Sequence, residues 1–394
     1  MPNIQTPHFT PLRLPKSREG FTFKFYAYSK SGEILVLTEY EKKEFLLQII
    51  PREKNGKKDF LIKAQKLTRV SPVGILQNAL KAFASLHDLE LTFSNIFPKK
   101  KSIVEDEDFK ILKDEEFFIN DLSYEKAILV EVGFGSGRHL IFQAKRNPDK
   151  TVIGIEIHRP SIEQVIKQCK LQNINNIRIA AFDARIFLQL LRSNSVETIF
   201  VHFPVPWDKK PHRRIISIPF LKETIRVLNK NGSLELRTDS ENYFTYSFET
   251  FNKLNIYNLQ IRKNHDLQIS SKYEDRWKKM EKNIYDITFL NDTFSQETDI
   301  SQKLIFEKSL SLKELKERFQ KITIKKDDHF VHFEELYETA DNSALVKLSF
   351  GAYEKPEHKF LLFNENRIQY FPKQTIGISQ NIKSHKIIKE FFHV

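Results

Sequence analysis

Residues 120 to 292 repeat one pattern, in which a short apolar run of strand type alternates with amphipathic stretches that have helical spacing. The strand-type runs are "KAILVEVGF", "TVIGIEI", "IRIAAFDA", "VETIFVHFP" and "GSLELRTD". Strands that alternate with helices form a largely parallel sheet covered by those helices, with right-handed crossovers. The sequence therefore predicts an α/β domain that binds its ligand beyond the carboxyl ends of its strands.

Three glycines at every second position follow the first of these strands, in the stretch "EVGFGSG". Glycine exposes backbone that a ligand can approach closely. A dinucleotide-binding turn would have its third glycine at position 138, which is Arg138 here, and the charge of Glu131 would repel a diphosphate. Gly133, Gly135 and Gly137 therefore predict a site for a ligand with a cationic end and little phosphate.

Acidic residues end three successive strands of this predicted sheet. Glu131 ends the first, and Glu156 lies near the distance from the glycines at which an acid accepts hydrogen bonds from ribose hydroxyls. Asp183 ends the third strand and can accept a bond from the amino group of adenine. An ammonium, a ribose and an amino-purine in that order describe S-adenosylmethionine, so these residues predict a methyl-donor site. The alternative is that Glu131 and Asp183 only cap helices.

The segments on either side of this region carry a different pattern. From about 21 to 67, alternating runs separated by "SKSGE" and "PREKNGKKD" predict a small antiparallel sheet, and "GILQNALKAFASL" has helical spacing. After about 295, alternating runs and a short terminal helix predict an α+β unit. We therefore expect a β-rich accessory domain at 1–112, the α/β domain at 113–294 and an α+β accessory domain at 295–394, with no internal repeat.

Composition limits the class of protein. The single cysteine, Cys169, excludes an internal disulfide and a metal knuckle of paired cysteines, which suits a reducing compartment. The chain shows no basic-then-apolar leader and no apolar run long enough to span a membrane. We expect a cytoplasmic protein without a metal and without an obligatory protein partner.

Positive charge is in excess, because the chain has 63 Lys and Arg against 51 Asp and Glu. Such a surplus favours a polyanionic partner through phosphate contacts, although an A/T-rich genome would also enrich Lys without any function. Charge and an aromatic ring combine in "HFPVPWDKKPHRR" at 202–214, where Trp207 offers a face for base stacking. Four cations of this segment can meet phosphates, namely Lys209, Lys210, Arg213 and Arg214. The alternative is a solvated basic loop whose tryptophan belongs to a core.

Six stretches occur in the order and spacing of bacterial tRNA (guanine-N7-)-methyltransferases of the TrmB type, namely "EVGFGSG", "IGIEIH", "FDA", "FPVPWDKKPHRR", "RTDSENY" and "SKYEDRWKKMEKNIYDI". The chain resembles that family over about 120 to 292. Its flanking segments resemble those of the enlarged members from Campylobacter and Helicobacter relatives. The resemblance implies a class I (Rossmann-like) methyltransferase core, S-adenosylmethionine as the cofactor and tRNA as the partner.

The resemblance also implies roles for individual residues. It places Glu131, Glu156 and Asp183 on S-adenosylmethionine. It implies contacts with tRNA or guanosine from a set of six residues, Lys209, Asp239, Ser271, Lys272, Tyr273 and Glu274. Read without the resemblance, Asp239 could cap a helix, and Ser271 with Glu274 could form a capping box.

One position departs from the family pattern. The usual "FPDPW" has an acid between its prolines, and this chain has Val205. Nitrogen-7 of neutral guanine carries a lone pair and no proton, so its attack on a methyl group needs no general base, and positioning can supply most of the rate. The missing acid would hold the guanine edge or stabilise the cationic product ring. Asp208 and Asp239 are candidates to replace it, and we assign to Asp239 the catalytic role of holding the guanine.

The predicted activity is methylation of guanine at nitrogen-7 in tRNA. One alternative is a non-catalytic RNA-binding protein that kept the donor site after Val205 replaced the acid. Another is a methyltransferase for a different RNA or a small substrate. The acids of the donor site argue against the first alternative, and the "PWDKKPHRR" run argues against the second.

Overall fold

The computed structural model describes residues 2–54, 56–70, 72–96, 110–269, 272–300, 303–364 and 367–394. The chain forms two compact units. The central unit is Ser102–Gln302, and the flanking unit combines Met1–Lys101, here called the N-terminal half, with Lys303–Val394, the C-terminal half. No helix in the described part of the chain is long and apolar enough to cross a membrane.

The N-terminal half is an antiparallel sheet that packs against one helix. Its elements are β1 (Asn3–Thr6), β2 (Lys16–Arg18), β3 (Phe21–Ser29), β4 (Ile34–Tyr40), β5 (Lys43–Lys54), β6 (Lys57–Ala64), α1 (Val73–Leu86) and β7 (Phe93–Ser94). Alternate side chains of the long strands face α1 and bury an apolar cluster that includes Phe23, Phe45 and Phe83. The four strands from β3 to β6 and helix α1 lie where the sequence predicted a small antiparallel sheet and a helix, whereas β1, β2 and β7 were not predicted.

The central unit alternates strands and helices, as the sequence predicted. Its elements are β8 (Leu112–Lys113), β9 (Ile128–Val132), α2 (Arg138–Arg146), β10 (Thr151–Ile155), α3 (Arg159–Leu171), β11 (Ile177–Ala180), α4 (Ala184–Phe187), β12 (Val196–His202), α5 (Ile218–Val227), β13 (Leu228–Thr238), α6 (Glu241–Lys253), β14 (Leu259–Lys263), α7 (Lys272–Lys279) and β15 (Tyr285–Leu290). Cys169 lies buried on α3 in the core beside the sheet, as expected.

The strand order of the central sheet is β14-β15-β13-β12-β9-β10-β11-β8. The strands from β13 to β8 are parallel, and β15 enters antiparallel between β13 and β14. The chain runs outward from β9 in one direction and then returns to continue from β12 in the other. The carboxyl ends of β9 and β12 therefore flank a topological switch point, which is where open α/β sheets bind ligands.

The C-terminal half is again an antiparallel sheet with a packed helix. Its elements are α8 (Leu312–Arg318), β16 (Thr323–Lys325), β17 (Phe330–Thr339), β18 (Ala344–Gly351), β19 (Pro356–Asn364), β20 (Arg367–Phe371) and α9 (Ser379–Phe392). Its own apolar cluster includes Phe333, Phe350 and Phe392.

The two halves share one sheet, and here the structure differs from the predicted division into three domains. The strand order is β20-β19-β18-β17-β3-β4-β5-β6-β1-β7, and β3 joins β17 through antiparallel pairs such as Ser29 with Tyr337. A third apolar cluster takes side chains from both halves, among them Leu35 and Leu345. Residues 1–112 and 295–394 are therefore not independent domains, because each contributes part of one core.

The flanking unit also contains an internal repeat, which the sequence analysis did not find. Both halves follow the order of a short strand, four long antiparallel strands and a helix, and β2 pairs with β3 as β16 pairs with β17. Both β3 and β17 bulge after a buried phenylalanine, Phe23 in one half and Phe333 in the other. Ser29 and Thr339 close the following turns with the same side-chain bonds. The two halves therefore repeat the backbone geometry of the bulge and the turn and the polarity of the side chains there, although few of these residues are identical.

The bulge residues themselves carry opposite charges. Lys24 occupies the bulge of β3 and pairs with Glu39 and with Glu44, the latter at 2.7 Å. Glu334 occupies the bulge of β17 and pairs with Lys347 at 2.7 Å. One scaffold therefore accepts either sign of charge at this position, provided that a partner of the other sign lies on the neighbouring strands.

Candidate active site

The glycine stretch forms a tight turn between β9 and α2. Gly133, Gly135 and Gly137 have φ angles of 71°, 52° and 72°, a region that favours glycine. A Cβ atom on Gly137 would lie 2.1 Å from Cγ2 of Val165, so this glycine lets α3 approach the turn. A Cβ on Gly133 would meet nothing within 4 Å. The backbone at Gly133 therefore borders open space, as a ligand site requires.

Glu156 ties this turn to the end of β10. Its carboxylate accepts hydrogen bonds from the backbone amides of Gly135 at 3.0 Å, Ile157 at 2.8 Å and His158 at 2.9 Å. A carboxylate has about four acceptor sites, so one remains for a hydroxyl group. The sequence predicted Glu156 as a ribose acceptor, and its position at the carboxyl edge of the sheet is compatible with that role.

Glu131 is buried beneath the same turn, with 4% of its surface exposed. It does not cap a helix through its side chain in the described contacts but bonds to Nδ1 of His139 at 3.0 Å. Burial lowers the pKa of His139, and the charge and hydrogen bond of Glu131 outweigh that effect and raise it above its ordinary value. The rings of His139 and His202 lie 4.6 Å apart, and burial lowers the pKa of His202 well below its usual range. Neither histidine was predicted as a site residue.

Asp183 lies at the end of β11 but its carboxylate is occupied. It caps α4 through the amide of Arg185 at 3.1 Å and forms a two-pronged ion pair with the guanidinium of that residue at 2.9 and 2.7 Å. The helix-capping alternative therefore describes Asp183. An adenine amino group could therefore donate only to a lone pair of the Asp183 carboxylate that these three bonds do not use.

The segment at 202–214 leaves β12 at the switch point. Phe203 and Trp207 have positive φ angles of 49° and 46°, which bulky residues rarely adopt. Trp207 is 36% exposed, and the guanidinium of Arg213 lies 5.1 Å from its ring centre. Lys209 and Lys210 are exposed. These four residues are exposed to solvent, which is compatible with the predicted stacking and phosphate contacts.

Arg214 differs from its predicted role as a phosphate contact. It is only 8% exposed, and it donates to the carbonyl of Pro206 at 2.8 Å and to Asp208 at 3.2 Å. Its guanidinium lies 4.4 Å from the ring centre of Tyr246. Arg214 therefore holds the segment in its fold from inside, because its donors face protein groups.

Asp239 follows the last residue of β13 at the same edge of the sheet. The capping of α6 falls to Ser240, whose hydroxyl accepts from the amide of Tyr243 at 3.2 Å. Asp239 instead pairs with Nζ of Lys282 at 3.0 Å, and 17% of its side chain is exposed. The capping alternative for Asp239 is thus not supported, and Lys282 is a neighbour that the sequence analysis missed.

The predicted tetrapeptide lies at the start of α7. Ser271 falls outside the described residues, and Lys272 and Tyr273 are the first residues of that helix. Glu274 is 1% exposed and accepts from Nη2 of Arg237 at 2.9 Å. Glu274 therefore faces the interior of the protein and not a solvent-exposed RNA surface.

Arg237, two residues before Asp239, connects β13 with α7, β15 and the loop that follows β14. It is 2% exposed, and besides Glu274 its guanidinium contacts Asp286 of β15 at 2.6 Å and the carbonyl of His265 at 2.7 Å. On the other side of the turn, Arg138 of α2 bonds to Asp275 of α7 at 2.6 Å. Arg237 stands at a polar position of the alternating run "LELRT", two residues after Glu235, so no local signal in the sequence indicated its burial.

The site thus combines open backbone at Gly133, buried or backbone-bound carboxylates, and a basic segment with an exposed ring. No group of three potential metal ligands occurs among the described residues. Glu131 and Glu156 suit a ligand with an ammonium and a ribose, so the residues present fit S-adenosylmethionine. The central sheet is parallel, its strand order changes direction at β9, and the antiparallel strand β15 lies near one edge. Together with the glycine turn after β9, this arrangement defines a class I methyltransferase.

Comparison with known proteins identifies the family. A family model described as "Putative methyltransferase" matches residues 125–287. A protein named tRNA (guanine-N(7)-)-methyltransferase from Campylobacter jejuni (strain RM1221) is 41% identical over 400 residues, which cover 100% of this chain and 99% of that protein. Its counterpart from Wolinella succinogenes is 42% identical over 398 residues, which cover 99% of this chain and 100% of that protein. The chain belongs to the tRNA (guanine-N(7)-)-methyltransferase family.

Among solved structures, an rRNA methylase from Streptococcus thermophilus is 11% identical with a TM-score of 0.31. The match covers 46% of this chain and 94% of that chain.

Proposed function

We propose that this protein transfers the methyl group of S-adenosylmethionine to nitrogen-7 of guanine in tRNA. One observation carries the proposal. The open glycine turn, Glu156 and the basic segment meet at one edge of the sheet, in a chain that matches the named relatives over its whole length. Because tRNA is the proposed substrate, the cytoplasm is the proposed location.

S-adenosylmethionine supplies a methyl group on a positively charged sulfur. Glu131 is proposed to meet the ammonium end, because it lies in β9 two residues before Gly133 and its bond to His139 leaves further lone pairs on the carboxylate. Glu156 is proposed to accept from the ribose, and the turn formed by Gly133, Gly135 and Gly137 to lie against the ligand. Asp183 is proposed to border the base, with its own geometry fixed by Arg185.

Methyl transfer needs little acid or base chemistry from the protein. The lone pair of guanine nitrogen-7 forms the new bond while the carbon–sulfur bond breaks, and no proton leaves the ring. The methylated ring gains a positive charge, which a nearby carboxylate would stabilise. Val205 is 59% exposed and offers none. We therefore assign that role to Asp239, which Lys282 holds at the carboxyl edge.

Binding of the tRNA near this edge is proposed to use the exposed part of the basic segment. Trp207 would stack on a base, and Lys209, Lys210 and Arg213 would contact phosphates. Lys272 and Tyr273 would contact the substrate from α7. Arg214 and Glu274 are proposed to act indirectly, by holding the segment and α7 in place.

The role of Glu274 can be tested through its partner. Arg237→Met would leave Glu274 and Asp286 buried without their cation, at a cost of about 3 to 5 kcal/mol in the free energy of unfolding. Glu274→Gln keeps the shape of the side chain and its hydrogen bond to Arg237 but removes the negative charge that helps to hold α7. It should therefore raise the KM for tRNA more than it lowers kcat. Equal S-adenosylmethionine affinity in Glu274→Gln and wild type would exclude a general loss of structure. An unchanged KM for tRNA would contradict the positioning role.

The activity itself is tested with labelled S-adenosylmethionine and an unmodified tRNA transcript, followed by nucleoside analysis. We expect 7-methylguanosine from the wild-type chain, and Asp239→Asn should lower kcat by about a hundredfold, by analogy with the loss of one oxyanion-hole donor. Val205→Asp serves as the companion variant. If only Val205→Asp formed the product while both proteins bound tRNA, the wild-type chain would be a binding protein and not an enzyme.

A further inference from the structure

The positive charge of this chain is not shared between its two units. Residues 102–302 contain 29 Lys and Arg and 29 Asp and Glu, so the central unit has no net charge with His counted as neutral. The whole excess of 12 therefore lies in the flanking unit. A general enrichment in Lys would have raised the charge of both units, so composition alone does not explain this distribution.

Within the flanking unit, the excess lies mainly in the N-terminal half. Residues 1–101 contain 18 Lys and Arg against nine Asp and Glu, whereas residues 303–394 contain 16 against 13. Ion pairing increases the difference between the two halves in the number of cations that have no carboxylate partner. Among the described side chains, Lys24 and Arg52 are the N-terminal cations that pair with a carboxylate. Seven described cations do so in the C-terminal half, namely Lys316, Arg318, Lys321, Lys347, Lys359, Lys383 and Lys389.

Four of the unpaired N-terminal cations surround one surface, here called the β2–α1 face. They are exposed, and they are Arg13, Lys16, Arg18 and Lys81. Arg18 donates to the hydroxyl of Ser85 on α1 at 3.0 Å, and Lys81 lies one helical turn before Ser85. Such exposed cations remain available to phosphate groups, because no carboxylate of the described residues neutralises them.

Segment 7–15, which contains Arg13, contacts the residue that follows this helix through Phe9 and Thr10. The ring of Phe9 lies 5.1 Å from that of His87, and Nδ1 of His87 contacts the carbonyl of Thr10 at 3.3 Å. His87 directly follows α1, and Lys16 is close enough to act on it electrostatically. Strand β2, segment 7–15 and the end of α1 therefore form one surface.

The repeated half supplies an internal comparison. Lys16 pairs with Phe23, and the residue opposite the equivalent Phe333 is Ile322, whose carbonyl accepts from Phe333 at 3.0 Å. Arg18 likewise corresponds to Ile324. The scaffold thus accepts apolar residues at the positions of Lys16 and Arg18, so the fold does not require these two cations, although β16 carries an exposed cation of its own at Lys325.

We propose that the β2–α1 face binds the phosphate backbone of tRNA as a second RNA surface outside the central unit. The proposal rests on the proposed function for the identity of the polyanion. Lys and Arg side chains that meet phosphates release counterions, so the face adds affinity without adding base recognition. The flanking unit supplies the charge that the neutral central unit lacks.

The test compares two triple variants of the full-length chain. Lys16→Gln, Arg18→Gln and Lys81→Gln remove three charges from the face and keep a polar side chain at each position. Lys313→Gln, Lys355→Gln and Lys373→Gln remove three exposed charges from the C-terminal half, none of which pairs with a described carboxylate. The dissociation constant of an unmodified tRNA transcript is measured from 50 to 300 mM salt, with melting temperature as the folding control.

The face variant should bind tRNA about tenfold more weakly near 0.15 M salt, and its slope of log affinity against log salt should fall by about two to three. Its kcat at saturating tRNA should equal that of wild type, and the control variant should stay within about twofold. Equal losses in both variants, or no loss in either, would overturn the proposal. If the wild type bound tRNA through this face but formed no 7-methylguanosine, the surface would stand and the proposed activity would fall.

Discussion

The two halves of the flanking unit share a scaffold and differ in what they present to solvent. Both bulge after a buried phenylalanine, and both close the next turn through a hydroxyl side chain. At the bulge, however, one half has Lys24 and the other has Glu334. The comparison teaches that backbone geometry and core packing define this fold, whereas the sign of a charge at the bulge can differ when a partner of the opposite sign lies beside it.

The largest effect should be common to both halves. Phe23→Ala and Phe333→Ala each remove a fully buried ring at equivalent positions, and each should cost about 3 to 5 kcal/mol of unfolding free energy. Chemical denaturation of the two single variants measures this. A large loss in one half and almost none in the other would show that the repeat does not extend to the packing of the core.

A contact between the halves should have the next largest effect. The hydroxyl of Tyr337 donates to Glu33 across the junction at 2.8 Å, and hydrogen bonds to charged groups contribute about 1.5 to 3 kcal/mol. Tyr337→Phe should lower the unfolding free energy by about that amount. Tyr28→Phe is the matched control, because Tyr28 is 41% exposed. Equal effects of the two substitutions would contradict a specific junction bond.

The reversed bulge charges should give the halves opposite pH sensitivity. His358 and Lys347, which face Glu334, outweigh its burial and lower the pKa of Glu334 to about 2. Its stabilising effect is therefore complete above its ordinary pKa and is lost as the pH falls towards 2. Burial lowers the pKa of Lys24, and Glu39 and Glu44 outweigh this and raise it above its ordinary value. Its effect is complete below that value and is lost in alkali.

Two variants test this difference. Glu334→Gln should be less stable than wild type at neutral pH, and the gap should close on acidification. Lys24→Met should show a gap that closes only in strong alkali. Melting temperatures across the pH range measure both gaps, and a gap of constant size would contradict the assigned pKa shifts.

The smallest effect should come from adding a charge. Ile322 occupies the place of Lys16 in the C-terminal half and is 40% exposed. Ile322→Lys should change the unfolding free energy by no more than about 0.5 kcal/mol. It should tighten tRNA binding by at most about twofold, because Ile324, the counterpart of Arg18, adds no second charge beside it. Tenfold tighter binding would instead show that position on the face matters less than charge.

The strands and the glycine turn of the central unit could be predicted because their signals are local. Alternation of strand and helix places Glu131 and Glu156 at one edge whatever the rest of the chain does. The pairing of β3 with β17 had no local signal, since its residues lie some 300 positions apart and alternating strands do not specify their neighbours. The division into domains was therefore mistaken although the strands themselves were recognised.

The burial of charged side chains is the second feature that could not be predicted from the sequence. Arg214 and Glu274 read as surface residues because most Arg and Glu are exposed, and only the contacts of Arg214 with Pro206 and of Glu274 with Arg237 reveal their places. Asp183 matched an adenine contact by position, but its bond to Arg185 depends on a neighbour two residues away in a conformation that spacing does not define.

The junction between β3 and β17 has a consequence for how the chain is made. Ribosomes synthesise β3 early, and its partner strand follows only after the entire central unit has been translated. The central unit is continuous and can fold as soon as it emerges, as domains commonly do during synthesis. Until β17 has been synthesised, the edge of β3 near Ser29 remains unpaired, and exposed strand edges promote association between chains. We therefore expect the pairing of β3 with β17 to be the last and slowest step in the folding of the newly synthesised chain.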